Sequence, residues 1–284
     1  MFEYNETLEQ ARERNITDAL MEDIGTGDWT AMLVPSKQVR AQLMVRQEAV
    51  LCGVDWFEGT LHRLDPKATV SWHYREGDLM KTDSKVCDIS ANSRALLSAE
   101  RPCINFLQTL SWTATIARQH VDAIAGVSPN PKGCAVLDTR KTIPGLRRAQ
   151  KYAVVVGGGQ NQRLALWHGI LIKENHIAAA GSVTAALKAA QQLNAGVDIQ
   201  IEVENLSELQ EALNAGAKSI LIDNFTPDQM REAVATTQGA ALLEASGGVG
   251  LNQLREIAAT GVDRISIGKL TKDVMAVDFS LRVQ

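Results

Sequence analysis

From Ala135 onward the chain repeats one unit: a short apolar run, a polar or charged residue at its end, and a helical stretch that often closes with Ala-Gly or Thr-Gly. The runs are Ala135-Val136-Leu137, Ile170-Leu171-Ile172, Ile199 to Val203, Ile220-Leu221-Ile222, Ala241-Leu242-Leu243 and Ile265-Ser266-Ile267. Between them, Val183 to Leu193, Leu206 to Leu213, Pro227 to Ala233 and Leu251 to Ala259 have helical spacing. Strand alternating with helix implies parallel strands joined by right-handed crossovers. Beyond residue 197 the unit recurs about every 20 to 25 residues, as in a β/α barrel. An open doubly wound sheet satisfies the same alternation.

Ahead of residue 110 the pattern differs. Leu8 to Leu20 reads as a helix entering a turn at Asp23-Ile24-Gly25-Thr26-Gly27-Asp28. Strand-like alternation follows at Ala41 to Val45 and Thr69 to Tyr74, with a turn at Arg75-Glu76-Gly77-Asp78. Ser98 to Leu110 returns to helical spacing, with Ile104, Leu107 and Leu110 close to one face. A smaller α+β domain therefore precedes the barrel pattern. The 284 residues, 45% of them hydrophobic, suffice for one large domain or two unequal ones.

A formal charge of −4 creates no global basic field, which argues against nucleic acid or a membrane surface as partner and leaves any anion site to a local cluster of Lys and Arg. Cys52, Cys87, Cys103 and Cys134 are scattered without Cys-x-x-Cys pairs, so neither a disulfide framework nor a structural zinc is expected. The start MFEYNETLEQ lacks the apolar region of a secretory signal, and no apolar run approaches the ~18 residues of a membrane helix. The expectation is a cytoplasmic protein.

Barrel sites form at the carboxyl ends of the strands, so the residues after each run are the ones to read. They are Asp138-Thr139-Arg140-Lys141, Lys173-Glu174-Asn175-His176, Glu202 and Glu204, Asp223-Asn224, Ser246-Gly247-Gly248 and Gly268. Arg140, Lys141, Arg163 and Lys173 can form a cationic pocket for a substrate with several negative charges, guanidinium forks matching carboxylates and phosphates bidentately. In Gln200-Ile201-Glu202-Val203-Glu204 the period of two puts the polar side chains on one strand face. With Asp223 from the next strand, that face offers hard oxygen ligands for Mg²⁺. Ser246-Gly247-Gly248 precedes a helix, and Gly268 precedes Leu270-Thr271-Lys272; backbone N–H groups in such turns cradle phosphate. Gly157-Gly158-Gly159 lacks the spacing of a dinucleotide fingerprint.

These strings together resemble the quinolinate phosphoribosyltransferase family over almost the whole chain. The resemblance begins at Glu22-Asp23-Ile24-Gly25-Thr26-Gly27-Asp28 and Glu100-Arg101-Pro102-Cys103-Ile104-Asn105-Phe106-Leu107-Gln108. It is most specific at Asp138-Thr139-Arg140-Lys141-Thr142-Ile143-Pro144-Gly145 and Lys173-Glu174-Asn175-His176, and it closes through Ile222-Asp223-Asn224-Phe225, Glu244-Ala245-Ser246-Gly247-Gly248 and Gly268-Lys269-Leu270-Thr271-Lys272.

The resemblance implies an N-terminal α/β sandwich domain (1–112), to which 275–284 return, and an incomplete α/β barrel (113–274). It implies a pentosyltransferase that joins quinolinate to phosphoribosyl pyrophosphate, giving nicotinate mononucleotide, pyrophosphate and CO₂ in NAD biosynthesis. Arg140, Lys141, Arg163 and Lys173 would hold the two carboxylates and the phosphates, with Thr139, Gln162 and Lys272 in the same binding set. Glu202 and Asp223 would take the Mg²⁺ and ribose positions, and Ser246, Gly247, Gly248 and Gly268 the phosphate turns. Lys141, Lys173, Glu202 and Asp223 would be the catalytic group. A homodimer is also implied, in which Arg101 reaches the barrel of the other subunit.

Two positions depart from the pattern. Asn161-Gln162-Arg163 stands where the family usually has Asn-His-Arg, and Ser111-Trp112 where it usually has Ser-Gly. Gln162 can donate a hydrogen bond to a carboxylate but cannot titrate near pH 7. Two alternatives stay open: a related phosphoribosyltransferase with another acceptor, such as the paralogues of molybdate transport operons, and a non-catalytic phosphosugar-binding protein.

Overall fold

The structure, a computed structural model, describes residues 5–284. The first four residues of the N-terminal segment MFEYNETLEQ lie outside the described residues. The chain forms two compact units: residues up to Arg118 with Thr142–Gly158 and Leu270–Gln284, and Gln119–Lys141 with Gly159–Lys269.

In the first unit an antiparallel four-stranded sheet has the order Phe279–Val283, Gln38–Val45, Ser84–Asn92, Thr69–Trp72. Alternation works as expected for a sheet with one covered face: Ala41, Leu43 and Val45 are buried, as are Cys87, Ile89 and Ala91 on the partner strand. Phe57 and Leu61 of helix Val54–Leu64 join them in one core, with Leu96, Ile104 and Leu107 of helix Ser93–Ile124. A second core unites Ile16 and Leu20 of helix Leu8–Ile24 with Trp56, Phe106, Leu110, Ala149 and Ala153. Through it the helix Arg147–Val156 belongs to this unit, although its sequence lies among the barrel strands. Gly157 ends that helix against the long one, where any Cβ would run into the Ala114 carbonyl oxygen.

The long helix exceeds the expected Ser98 to Leu110, running from Ser93 to Ile124, so the division expected at 112/113 falls inside a continuous helix. Its second half hides its apolar stripe behind small residues. Ala114 and Ala117 are fully buried, and the hydroxyls of Ser111 and Thr115 accept hydrogen bonds from the backbone N–H groups of Cys52 (3.0 Å) and Val50 (2.8 Å). Trp112 donates its indole N–H to the Asp273 carbonyl at 3.0 Å, which ties the segment before the last strand to the helix. All four cysteines are free.

The second unit is a six-stranded, all-parallel sheet in the order Ala135–Leu137, Arg264–Ser266, Leu242–Ser246, Ser219–Asp223, Asp198–Val203, Gly169–Ile172. Each strand from Gly169 onward pairs with the next in sequence, while the first pairs with the last (Leu137 opposite Ser266). A doubly wound sheet reverses its order midway; this order wraps round on itself and is that of a barrel. It is incomplete, because Ala135–Leu137 and Gly169–Ile172 are not paired with each other; a single parallel bridge from Leu137 to Gln160 stands beside the gap. The register (Ser266 with Leu137, Ser246 with Asp223, Val203 with Ile222) brings the carboxyl ends of the strands to one side. Among the described residues no helix is long and apolar enough to cross a membrane.

Candidate active site

Period-two alternation in the barrel strands sends Gln200, Glu202 and Glu244 to the same side, away from the apolar residues that face the helices. All three are buried. Lys173 follows the strand Gly169–Ile172, and its backbone N–H is held by His176 Nδ1 at 2.9 Å, in the first turn of helix Glu174–Ala180. From there Lys173 Nζ reaches both carboxylate oxygens of Glu202, at 2.8 and 3.0 Å. Glu202 keeps 9% of its side chain exposed and Lys173 44%, so the ammonium group covers a carboxylate that would otherwise meet solvent only at the mouth. Glu204, expected on the same face, lies past the strand end and is exposed.

Asp223 ends its strand, and its Oδ2 accepts from Asn224 Nδ2 at 2.7 Å. Asn224 adopts a left-handed φ of 56°, and its N–H donates to the Ser246 carbonyl at 3.1 Å. Gly247 (φ 103°) packs so closely that a Cβ would lie 2.8 Å from the Asn224 backbone nitrogen; at Gly248 (φ 56°) the same atom would meet nothing within 4 Å. The backbone of Gly248 is thus open, just ahead of helix Leu251–Ala258, in the manner of an anion cradle. Gly268 lies against Lys141 and Thr139: a Cβ there would be 2.9 Å from Lys141 Cδ and 3.7 Å from Thr139 Oγ1. Thr139 Oγ1 also accepts from the Lys141 N–H at 3.1 Å. Pairing of the first and last strands therefore joins Thr139, Lys141 and Gly268 into one corner.

Arg163 donates from Nη1 to the Gly169 carbonyl at 2.8 Å. Burial, and then the positive charge of Arg140, lowers the Arg163 guanidinium below its ordinary pKa. An anion bound near these cations would offset that like charge. Gln162, beside them, turns inward: Nε2 donates to Gln200 Oε1 (2.7 Å) and to the Glu244 carboxylate (3.1 and 3.2 Å), and its own N–H donates to Asp138 Oδ1 (2.8 Å).

The second unit thus gathers Thr139, Arg140, Lys141, Gln162, Arg163, Lys173, Glu202, Asp223, Ser246, Gly247, Gly248 and Gly268. Arg101 and Lys272 belong to the first unit. Arg101 is exposed and pairs with Glu100 at 2.9 Å, and Lys272 stands 3.7 Å from Asp273. Sequence reasoning gave no role to Glu244 or Arg264. The signal for Glu244 was present in the alternation of Leu242–Ser246, where the central position must face opposite to Leu243 and Ala245.

Two family models cover nearly the whole chain: the N-terminal domain of quinolinate phosphoribosyl transferase over residues 27–111 and its C-terminal domain over 113–282. A probable nicotinate-nucleotide pyrophosphorylase [carboxylating] from Bacillus subtilis (strain 168) is 39% identical over 266 residues, 93% of this chain and 90% of its own length. The chloroplastic nicotinate-nucleotide pyrophosphorylase [carboxylating] of Arabidopsis thaliana is 34% identical over 93% of this chain and 80% of its own. The solved structure of the nicotinate-nucleotide pyrophosphorylase from Francisella tularensis superposes with a TM-score of 0.92 at 39% identity, covering 99% of this chain and 98% of the other.

Proposed function

The chain belongs to the quinolinate phosphoribosyltransferase family, and from that membership we propose how its barrel mouth performs the reaction. The enzyme transfers the phosphoribosyl group of phosphoribosyl pyrophosphate to quinolinate, yielding nicotinate mononucleotide, pyrophosphate and CO₂, a step of NAD biosynthesis. The observation that supports the residue assignment is that Arg140, Lys141, Arg163 and Lys173 all belong to the barrel unit, Lys173 at the mouth on Glu202 and Lys141 against Gly268; four cations there ask for a multiply charged anion. Quinolinate, with two carboxylates, is such an anion.

Arg140, Arg163 and Lys173 grip the dianion and direct its ring nitrogen at the anomeric carbon. Lys141, with Thr139, stands over Gly268 and takes phosphate oxygens, as do the backbone groups of Ser246, Gly247 and Gly248. Catalysis by this set is positioning plus electrostatic stabilisation, since charge builds on the sugar and on the departing pyrophosphate while no protein nucleophile is required. Lys173 must release Glu202 to do its part, so substrate entry exchanges an internal ion pair for one with the ligand. Loss of the 2-carboxylate as CO₂ then follows on a ring made cationic by glycosylation.

Mg²⁺ suits the donors in one specific way. Glu202 and Asp223 come from adjacent strands, yet among the described residues no three His, Cys, Asp or Glu side chains form a cage. Two carboxylates without a third fit an ion held chiefly by substrate phosphates and water. Bound there, it would neutralise the leaving pyrophosphate. A homodimer completes the proposal, Arg101 of each subunit serving the partner's mouth; its exposure and its light tether to Glu100 support that reach. Incubation with quinolinate, phosphoribosyl pyrophosphate and Mg²⁺ should give nicotinate mononucleotide and CO₂. Nicotinate should be a poor acceptor, because removing one carboxylate leaves cations uncompensated; comparable kcat/KM for both acids would refute the clamp.

A further inference from the structure

Glu244 is fully buried, and a carboxylate withdrawn from water needs donors. It receives Gln200 Nε2 at 2.9 Å and Gln162 Nε2 at 3.1 and 3.2 Å, while Arg264 Nε stands 3.7 Å away. Gln162 Nε2 also donates to Gln200 Oε1 at 2.7 Å. An amide nitrogen carries two hydrogens. Both are engaged inside the barrel, and a substrate carboxylate, which accepts only, gains nothing from the oxygen that remains. That oxygen, Gln162 Oε1, accepts the backbone N–H of Arg163. One residue thus links side chains from two barrel strands (Gln200 and Glu244) and Asp138, just past a third, to the backbone of Arg163.

We propose that Gln162 is a positioning residue for Arg163: the chain of hydrogen bonds from Glu244 through Gln200 and Gln162 fixes where the Arg163 guanidinium stands, and Gln162 itself does not meet quinolinate. The fixed backbone matters because Arg163 shares the barrel unit with Arg140, Lys141 and Lys173, and like charge in that unit favours a loosely anchored guanidinium moving away. The guanidinium is itself restrained by one hydrogen bond, from Nη1 to the Gly169 carbonyl, which fixes one of its two ends. Neither amide titrates, so this anchor holds its form through the pH range in which a histidine would change charge. The inference rests on Arg163 being a quinolinate cation.

The test is steady-state kinetics on the full chain with Gln162→Ala, Gln200→Ala, the double variant and Arg163→Ala, folding being followed by thermal denaturation. Gln162→Ala and Gln200→Ala should each raise the KM for quinolinate by about 5- to 20-fold and leave that for phosphoribosyl pyrophosphate within about twofold, and the double variant should be no worse than the more severe single one. If Gln162→Ala does not fold, Gln162→Asn, which keeps the amide but draws it back by one methylene, gives the same readout. A quinolinate KM that rises for Gln162→Ala but stays within about twofold for Gln200→Ala overturns the proposal, because it marks direct contact with substrate. Multiplying effects in the double variant overturn it too. If both glutamine variants leave quinolinate KM unchanged while Arg163→Ala raises it, the positioning role alone fails. If Arg163→Ala leaves it unchanged, the cation clamp fails as well.

Discussion

Lys173 Nζ is bonded to both oxygens of Glu202, at 2.8 and 3.0 Å, so the proposed quinolinate cation sits on the proposed metal carboxylate. Each neutralises the other in this pair. Lys173→Met should lower kcat/KM for quinolinate by about 100-fold or more. It should also destabilise the fold by about 1–3 kcal/mol, since the nearly buried Glu202 loses its partner. Thermal denaturation separates the two effects: Glu202→Gln, which removes the stranded charge, should restore stability to the double variant and leave activity lost.

Adjacent glycines make a sharper comparison. Gly247→Ala would press a methyl group onto Asn224, whereas Gly248→Ala meets open space and pays only for its left-handed φ, about 1 kcal/mol. Gly247→Ala should therefore raise the KM for phosphoribosyl pyrophosphate strongly and lower the melting temperature, with Gly248→Ala folding almost normally. Equal stability losses in the two variants would contradict this account of the turn.

The proposed Mg²⁺ role of Glu202 and Asp223 predicts metal dependence. EDTA should abolish turnover and added Mg²⁺ restore it, and Asp223→Ala should impair phosphoribosyl pyrophosphate use more than quinolinate binding. Full activity in metal-free buffer would exclude the role.

The proposal that Arg101 acts across a homodimer predicts complementation. Arg101→Ala and Lys141→Ala should each be nearly inactive as homodimers. Mixed under conditions of demonstrated subunit exchange, half the dimers would be hybrids with one intact site each, and activity should approach roughly a quarter of wild type. An inactive mixture would show that Arg101 does not act across the dimer.

Much of the mouth was readable in the sequence because it follows from one rule: each apolar run ends where a barrel strand ends. Asp138, Lys173, Glu202, Asp223 and Ser246 all lie where that rule puts them. The rule says nothing about which way a side chain turns inside, so the hydrogen bonds from Gln162 to Gln200 and Glu244 could not be read from it. The long helix was cut short because Ala114 and Ala117 pack by smallness, which periodicity of large apolar residues cannot register. Helix Arg147–Val156 gave no hint of its unit either, because its buried residues Ala149 and Ala153 would suit either neighbour.

Both sheets depend on strands that arrive late. Among the described residues, Arg264–Ser266 is the only strand that pairs Ala135–Leu137 with the rest of the barrel sheet, and Phe279–Val283 supplies the edge beside Gln38–Val45 in the other. During synthesis, the neighbours from Gly169 to Ser246 can pair in the order in which they emerge, each with the strand before it. The two closures must wait until residues 264–283 have been made, and each joins residues separated by most of its unit. The growing chain therefore carries two unfinished sheet edges until then, and residues 264–283 act as the fastening that completes both.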